Sequence, residues 1–88
     1  MQYSAKIFVR GEVHGVSFRA FAKKNADIMG LHGYAKNVDK GVEVFVEGDK
    51  DNIETFAEGL NNGPGTVRKV EIEWSPASKL FKDFKVIY

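Results

Sequence analysis

Apolar residues alternate with polar ones over residues 5–13, with Ile7, Val9 and Val13 on one face and Phe8, Arg10 and Glu12 on the other, the period of a strand. At Phe18 the period lengthens. Phe18, Phe21, Ala22, Ala26 and Met29 fall on one side of a helix that Gly30 ends. "LHGYAKN" predicts a short strand, "VDKG" a turn, and "VEVFVEG" a strand with Val42, Val44 and Val46 facing the core, so the pair is expected to form a hairpin. Asp51 and Glu54 have the spacing of a capping box. Ile53, Phe56, Ala57 and Leu60 follow an i, i+3, i+4, i+7 pattern that predicts a second amphipathic helix over 51–61, stopped by "NNGPG". Val70, Ile72 and Trp74 then alternate with Glu71 and Glu73, and Phe84, Val86 and Tyr88 mark a last strand.

The order β-α-β-β-α-β plus one strand predicts an α+β fold of the ferredoxin-like, split βαβ kind. Its sheet is expected to be antiparallel, with the first and third strands central, the second beside the third, and both helices on one face. The 88 residues leave room for one domain spanning 1–88. Many unrelated functions use this fold, so the topology names none of them.

Composition narrows the choice by exclusion. A 43% hydrophobic content is that of a globular chain, and thirteen basic against twelve acidic residues give a net charge of +1, no footprint for long-range nucleic-acid binding. The absence of cysteine rules out a disulfide, a thiolate nucleophile and a Cys-based zinc site. Metal ligands would have to come from His14, His32 and carboxylates, and no metal or cofactor is expected. The N-terminal stretch lacks the apolar run of a signal peptide, and no window nears the ~20 apolar residues of a membrane span. A cytoplasmic protein with no membrane partner is therefore expected, with a monomer as the default.

The stretch "GEVHGVSFRAF" at 11–21 places two glycines, a serine and an arginine where the first strand turns into a helix. Such a junction presents N–H groups without intrahelical partners at the positive end of the helix dipole. Gly15 permits a positive φ, so N–H groups from His14 to Phe18 can converge on an anion, and Arg19 in the first turn can grip two oxygens of a phosphate. The residues alone also fit a structural turn whose arginine pairs with a surface carboxylate. Asn37 has a similar pair of readings: a turn-forming asparagine, or a side chain facing the first loop if strand register brings it there.

"GEVHGVSFR" and "GYAKNVDKGVEVFVEG" closely resemble the two signatures of the acylphosphatase family, and the resemblance extends over almost the whole chain, including "GP" at 63–64 and the terminal aromatic strand. It implies hydrolysis of acyl phosphates to a carboxylate and inorganic phosphate without a metal or cofactor. In that reading Arg19 binds phosphate, Asn37 holds the attacking water, and Val13, His14, Gly15, Val16, Ser17 and Phe18 form the phosphate cradle. His14 stands where the family usually has glutamine and is expected to orient the loop. Ser17 stands where glycine is frequent and is expected to cap the helix. The family likeness also brings the carboxylate of Tyr88 near Arg19 as an orienting partner. Lys36 and His32 are expected to be solvated surface groups.

Two other readings use the same layout. An RNA-binding module shares the topology, and "HGYA" at 32–35 superficially echoes its aromatic strand motif, but Lys36, Asn37 and Asp39 follow Tyr34 where further stacking aromatics are needed. A non-catalytic, phosphate-binding regulatory domain would keep the cradle without turnover. The presence of both Arg19 and Asn37 favours an enzyme.

Overall fold

A computed structural model describes all residues from Met1 to Tyr88. In chain order the elements are β1 (Gln2–Glu12), α1 (Phe18–Ile28), β2 (His32–Val38), β3 (Gly41–Asp49), α2 (Lys50–Gly59), a 3-10 turn (Leu60–Asn62), β4 (Thr66–Pro76) and β5 (Phe84–Ile87). They build a five-stranded sheet in the order β4-β1-β3-β2-β5. This is the ferredoxin-like arrangement extended by one edge strand.

The register puts Ile7 opposite both Val44 and Ile72, and Ala35 opposite Val44. One face of β1, β2 and β3 is therefore apolar, and Phe18, Ala22 and Ala26 of α1 join Ile53, Phe56 and Ala57 of α2 on it in one cluster of 17 buried residues. Both helices cover that face. Each presents a single apolar stripe, the feature the 3.6-residue period announced.

Three expectations need correction. The sheet is mixed, because β5 runs parallel to β2, with Gly33 opposite Phe84 and Lys36 opposite Ile87. Alternation identifies a strand but carries no information about its neighbour or direction. The second helix begins at Lys50 under an Asp49 cap whose carboxylate accepts from the Asp51 N–H at 3.0 Å, so Asp51 is an acidic first-turn residue and not the cap. Ser17 does occupy the junction ahead of α1, but at φ 64° its hydroxyl makes no capping bond.

Because β4 and β5 lie at opposite edges, residues 77–83 have to cross the helix-free face. Phe81 lands on Tyr34 and Phe45, with ring centroids 5.8 and 5.5 Å apart. Glu47, 7% exposed, ties the crossing down: it accepts from the Ser4 hydroxyl at 2.8 Å, from the Ser78 hydroxyl, and from the main-chain N–H groups of Ser78 at 2.7 Å, Lys79 at 3.0 Å and Leu80 at 3.1 Å. Burial by itself would raise this carboxyl, but the bonds from Ser78, Ser4 and the Lys79 N–H outweigh it and bring its pKa from 4.5 down to about 2.

A carboxyl more acidic in the folded state than in the unfolded chain stabilises the fold above its unfolded pKa. That contribution, roughly 3 kcal/mol by linkage, is lost as pH falls from about 4.5 towards 2. Glu47→Gln is therefore expected to destabilise the protein by roughly 2–3 kcal/mol at pH 7 and by much less near pH 2. Urea melts at the two pH values measure it.

Candidate active site

The loop between β1 and α1 bends through alternating backbone handedness. Gly15 has φ 72° and Ser17 φ 64°, whereas Val16 between them has no positive φ. Such alternation turns successive N–H groups to one side and forms a concave anion nest. Gly15 takes the left-handed conformation without strain; Ser17 holds it as a non-glycine residue, which costs about 1 kcal/mol and persists because the flanking β1 and α1 fix its position. Since no side chain caps α1 and no acidic residue lies in its first turn, the helix presents its first N–H groups and the positive end of its dipole unopposed.

A concavity of about 300 Å³ opens over this nest, lined by Val13, Gly15, Ser17, Phe18, Arg19, Ala20, Asn37, Val86 and Tyr88. Arg19 and Asn37, 18 positions apart in sequence, meet there. Asn37 lies opposite Val42, so it is on the helix-covered face and at the end of β2 nearest the loop. That register was the condition sequence reasoning could not supply.

Arg19 is clamped by β5. Its Nη1 donates to the Ile87 carbonyl at 2.7 Å, and its guanidinium carbon lies 4.7 Å from the centre of the Tyr88 ring. The partners are a main-chain carbonyl and an aromatic face, which replace the expected terminal carboxylate. One guanidinium N–H is used in this way, leaving the others for an oxyanion.

His14 turns away from the concavity. Its Nε2 lies 2.6 Å from the Gly41 carbonyl, an oxygen that can only accept, so Nε2 carries the proton. The Gly11 N–H donates to the Lys40 carbonyl at 3.2 Å beside it. The two bonds thus fasten the end of β1 and the loop after it to the β2–β3 connection that follows Asn37. His14→Ala is expected to reduce kcat/KM about 5-fold, the worth of one such bond, and His14→Gln, which keeps an N–H donor, to restore most of it. Steady-state kinetics of the two variants check this.

Val16 also lies outside the lining set; its side chain leans towards Gly65, where a Cβ would stand 3.0 Å from Val16 Cγ2. His32 is exposed at the start of β2, the end away from Asn37, and Lys36 pairs with Glu43 at 3.7 Å while bordering the outer rim beside Asn37. Ala20, Val86, Ile87 and the Tyr88 ring are the site neighbours that sequence reasoning did not assign. The terminal alternation signalled a strand without indicating that it docks beside β2. No three His, Asp or Glu side chains gather as metal ligands anywhere in the chain.

The profile of the Acylphosphatase family matches residues 5–86. The chain belongs to the acylphosphatase family. An acylphosphatase of Dehalococcoides mccartyi is 42% identical over 87 residues, covering 94% of this chain and 96% of that one. One from Thermus thermophilus is 46% identical over 81 residues, covering 89% and 91%. In three dimensions the chain superposes on the crystal structure of acylphosphatase from Bacillus subtilis with a TM-score of 0.92, at 32% identity and with complete coverage of both chains. The chain is accordingly an acylphosphatase, a hydrolase acting on a small-molecule acyl phosphate, and no helix in it is long and apolar enough to cross a membrane.

Proposed function

We propose that this acylphosphatase binds the phosphoryl group of its substrate in the nest from Val13 to Phe18 and under the Arg19 guanidinium, while Asn37 orients the attacking water. The observation that carries this reading is the convergence of Arg19 and Asn37 on one concavity above the uncapped start of α1. An acyl phosphate already contains a good leaving group. The protein therefore has to align water with phosphorus and stabilise charge on the three equatorial oxygens, which fixed N–H groups and a guanidinium do without reorganising.

In the step itself the water oxygen bonds to phosphorus as the bond from phosphorus to the acyl oxygen breaks. The carboxylate departs with that electron pair, and the proton released by the water passes to a phosphate oxygen, giving dihydrogen phosphate. No histidine, aspartate or glutamate side chain lines the site to act as a general base: His14 is committed to Gly41, and the polar side chains of the lining are those of Arg19, Asn37, Ser17 and Tyr88, whose ring lies against the Arg19 guanidinium. The substrate supplies the base. Ser17, with no histidine, aspartate or glutamate side chain among its neighbours in the lining to activate it, is not a nucleophile.

The same reading makes the protein a one-domain cytoplasmic monomer that needs no metal or cofactor and has no nucleic-acid partner. Its single buried cluster supports the first point. Against RNA binding, Phe81 covers Tyr34 and Phe45, the aromatic pair on the helix-free face. The test is release of phosphate from benzoyl phosphate at neutral pH, with a chelator present and spontaneous hydrolysis subtracted. Turnover that survives the chelator is expected. Folded protein that binds phosphate without turnover would make the chain a regulatory binding domain instead.

A further inference from the structure

In-line displacement requires the attacking water and the leaving acyl oxygen to lie on opposite sides of phosphorus. If Asn37 holds the water, the acyl group leaves the cradle on the side facing away from β2. Sheet order identifies that side. β1, which carries the cradle, has β3 and then β2 on one flank and β4 on the other, and Glu12 at the end of β1 pairs with Thr66 at the start of β4. On that β4 side, just outside the lining of the concavity and between its residues Gly15 and Ser17 in sequence, stands Val16, with the segment 63–66 beside it.

Val16 is 38% exposed, an apolar side chain at the rim of a loop whose neighbours His14, Gly15 and Ser17 are also exposed. The segment around Gly65 packs beside it. Gly65 has φ 81°, and a Cβ there would collide with the Glu12 carbonyl, so only glycine lets the 63–66 segment approach this closely. Gly63 is similarly pressed on α1, where a Cβ would stand 2.5 Å from the Phe18 ring. Val16 is thus an exposed apolar group beside a closely packed segment.

We propose that Val16 and the Gly63–Thr66 segment seat the acyl group of the substrate and select acyl phosphates whose acyl body is neutral and apolar, aryl or branched alkyl, over acetyl phosphate. This rests on the roles given above to Arg19 and Asn37, which set the direction of displacement. Tyr88, on the Asn37 side, then faces the water and Arg19 and has no part in choosing the acyl group.

The experiment compares kcat/KM for benzoyl phosphate and acetyl phosphate in wild-type protein and in Val16→Ala, Val16→Thr and Tyr88→Ala, with circular dichroism confirming the fold. Val16→Thr keeps the β-branched shape while exchanging one methyl for a hydroxyl, so it separates lost apolar contact from an altered loop. Removing apolar contact at a half-exposed rim is expected to lower the benzoyl-to-acetyl ratio about 3- to 10-fold in both Val16 variants and to leave that ratio unchanged in Tyr88→Ala. An unchanged ratio in the Val16 variants, or a ratio that shifts in Tyr88→Ala alone, overturns the inference while leaving the hydrolytic reading intact. Wild-type protein that hydrolyses neither compound overturns both.

Discussion

Arg19→Ala is expected to lower kcat/KM for benzoyl phosphate by roughly 10³-fold and to abolish competitive inhibition by inorganic phosphate. Both effects have one source. The guanidinium is the one fixed cation among the residues lining the concavity, and its charge-assisted bonds serve the bound ground state as well as the transition state. The β5 clamp enlarges the effect. With one donor held by the Ile87 carbonyl and the plane stacked near Tyr88, the side chain loses little freedom when phosphate arrives. Arg19→Lys keeps the charge but has neither the planar fork nor the same hold on Ile87, so it is expected to recover only a small part of the activity. Inhibition constants for phosphate, measured beside the kinetics, check the assignment; an Arg19→Ala protein still inhibited normally by phosphate would refute it.

Asn37→Ala should separate the two functions. Turnover is expected to fall roughly 10²-fold, the loss typical of one positioned polar group, while inhibition by phosphate changes by less than about 2-fold. The asparagine is on a strand and not on the cradle, so its removal leaves the nest and Arg19 in place. Its side chain is exposed and its main chain is paired with Val42, so truncation has little effect on stability. A parallel loss of phosphate affinity would mean that Asn37 touches the phosphoryl group directly and would remove the water-orienting role.

Much of this could be read before any coordinates. The two helices and five strands follow from periods of 3.6 and 2, because each element buries one face and the apolar positions record which. Arg19 and the nest were legible for a local reason: a loop, a glycine and the first turn of a helix are contiguous in sequence, and their geometry depends on few dihedrals. Asn37 needed more. Its place beside Arg19 depends on the β2–β3 register, which a shift of one residue would have reversed. The family likeness placed the chain end beside Arg19 but with the wrong group, its carboxylate; the Ile87 carbonyl and the Tyr88 ring were out of reach, since nothing in "FKVIY" states which edge the strand joins or that it runs parallel to β2. The Asp49 cap was missed because Asp49 and Asp51 offer equivalent chemistry two positions apart, and only the backbone bond to Asp51 decides between them. Glu47 carried no signal of its own in the alternating strand, since its burial comes from the 77–83 segment that crosses over it.

The clamp on Arg19 has a consequence for how the molecule reaches its working state. Arg19 and Ile87 are 68 positions apart, and β5 pairs with β2 only after 77–83 has crossed the sheet. Contacts that close so long a loop are entropically unfavourable until much of the chain has organised, so they belong to the late stages of folding. The phosphate nest, built from contiguous residues, can take shape well before its cation is locked. An intermediate lacking β5 would hold an anion loosely and process it poorly, and ligand bound to the finished site would draw the last strand into place by mass action. Substrate is in this sense a partner in completing the fold of its own enzyme.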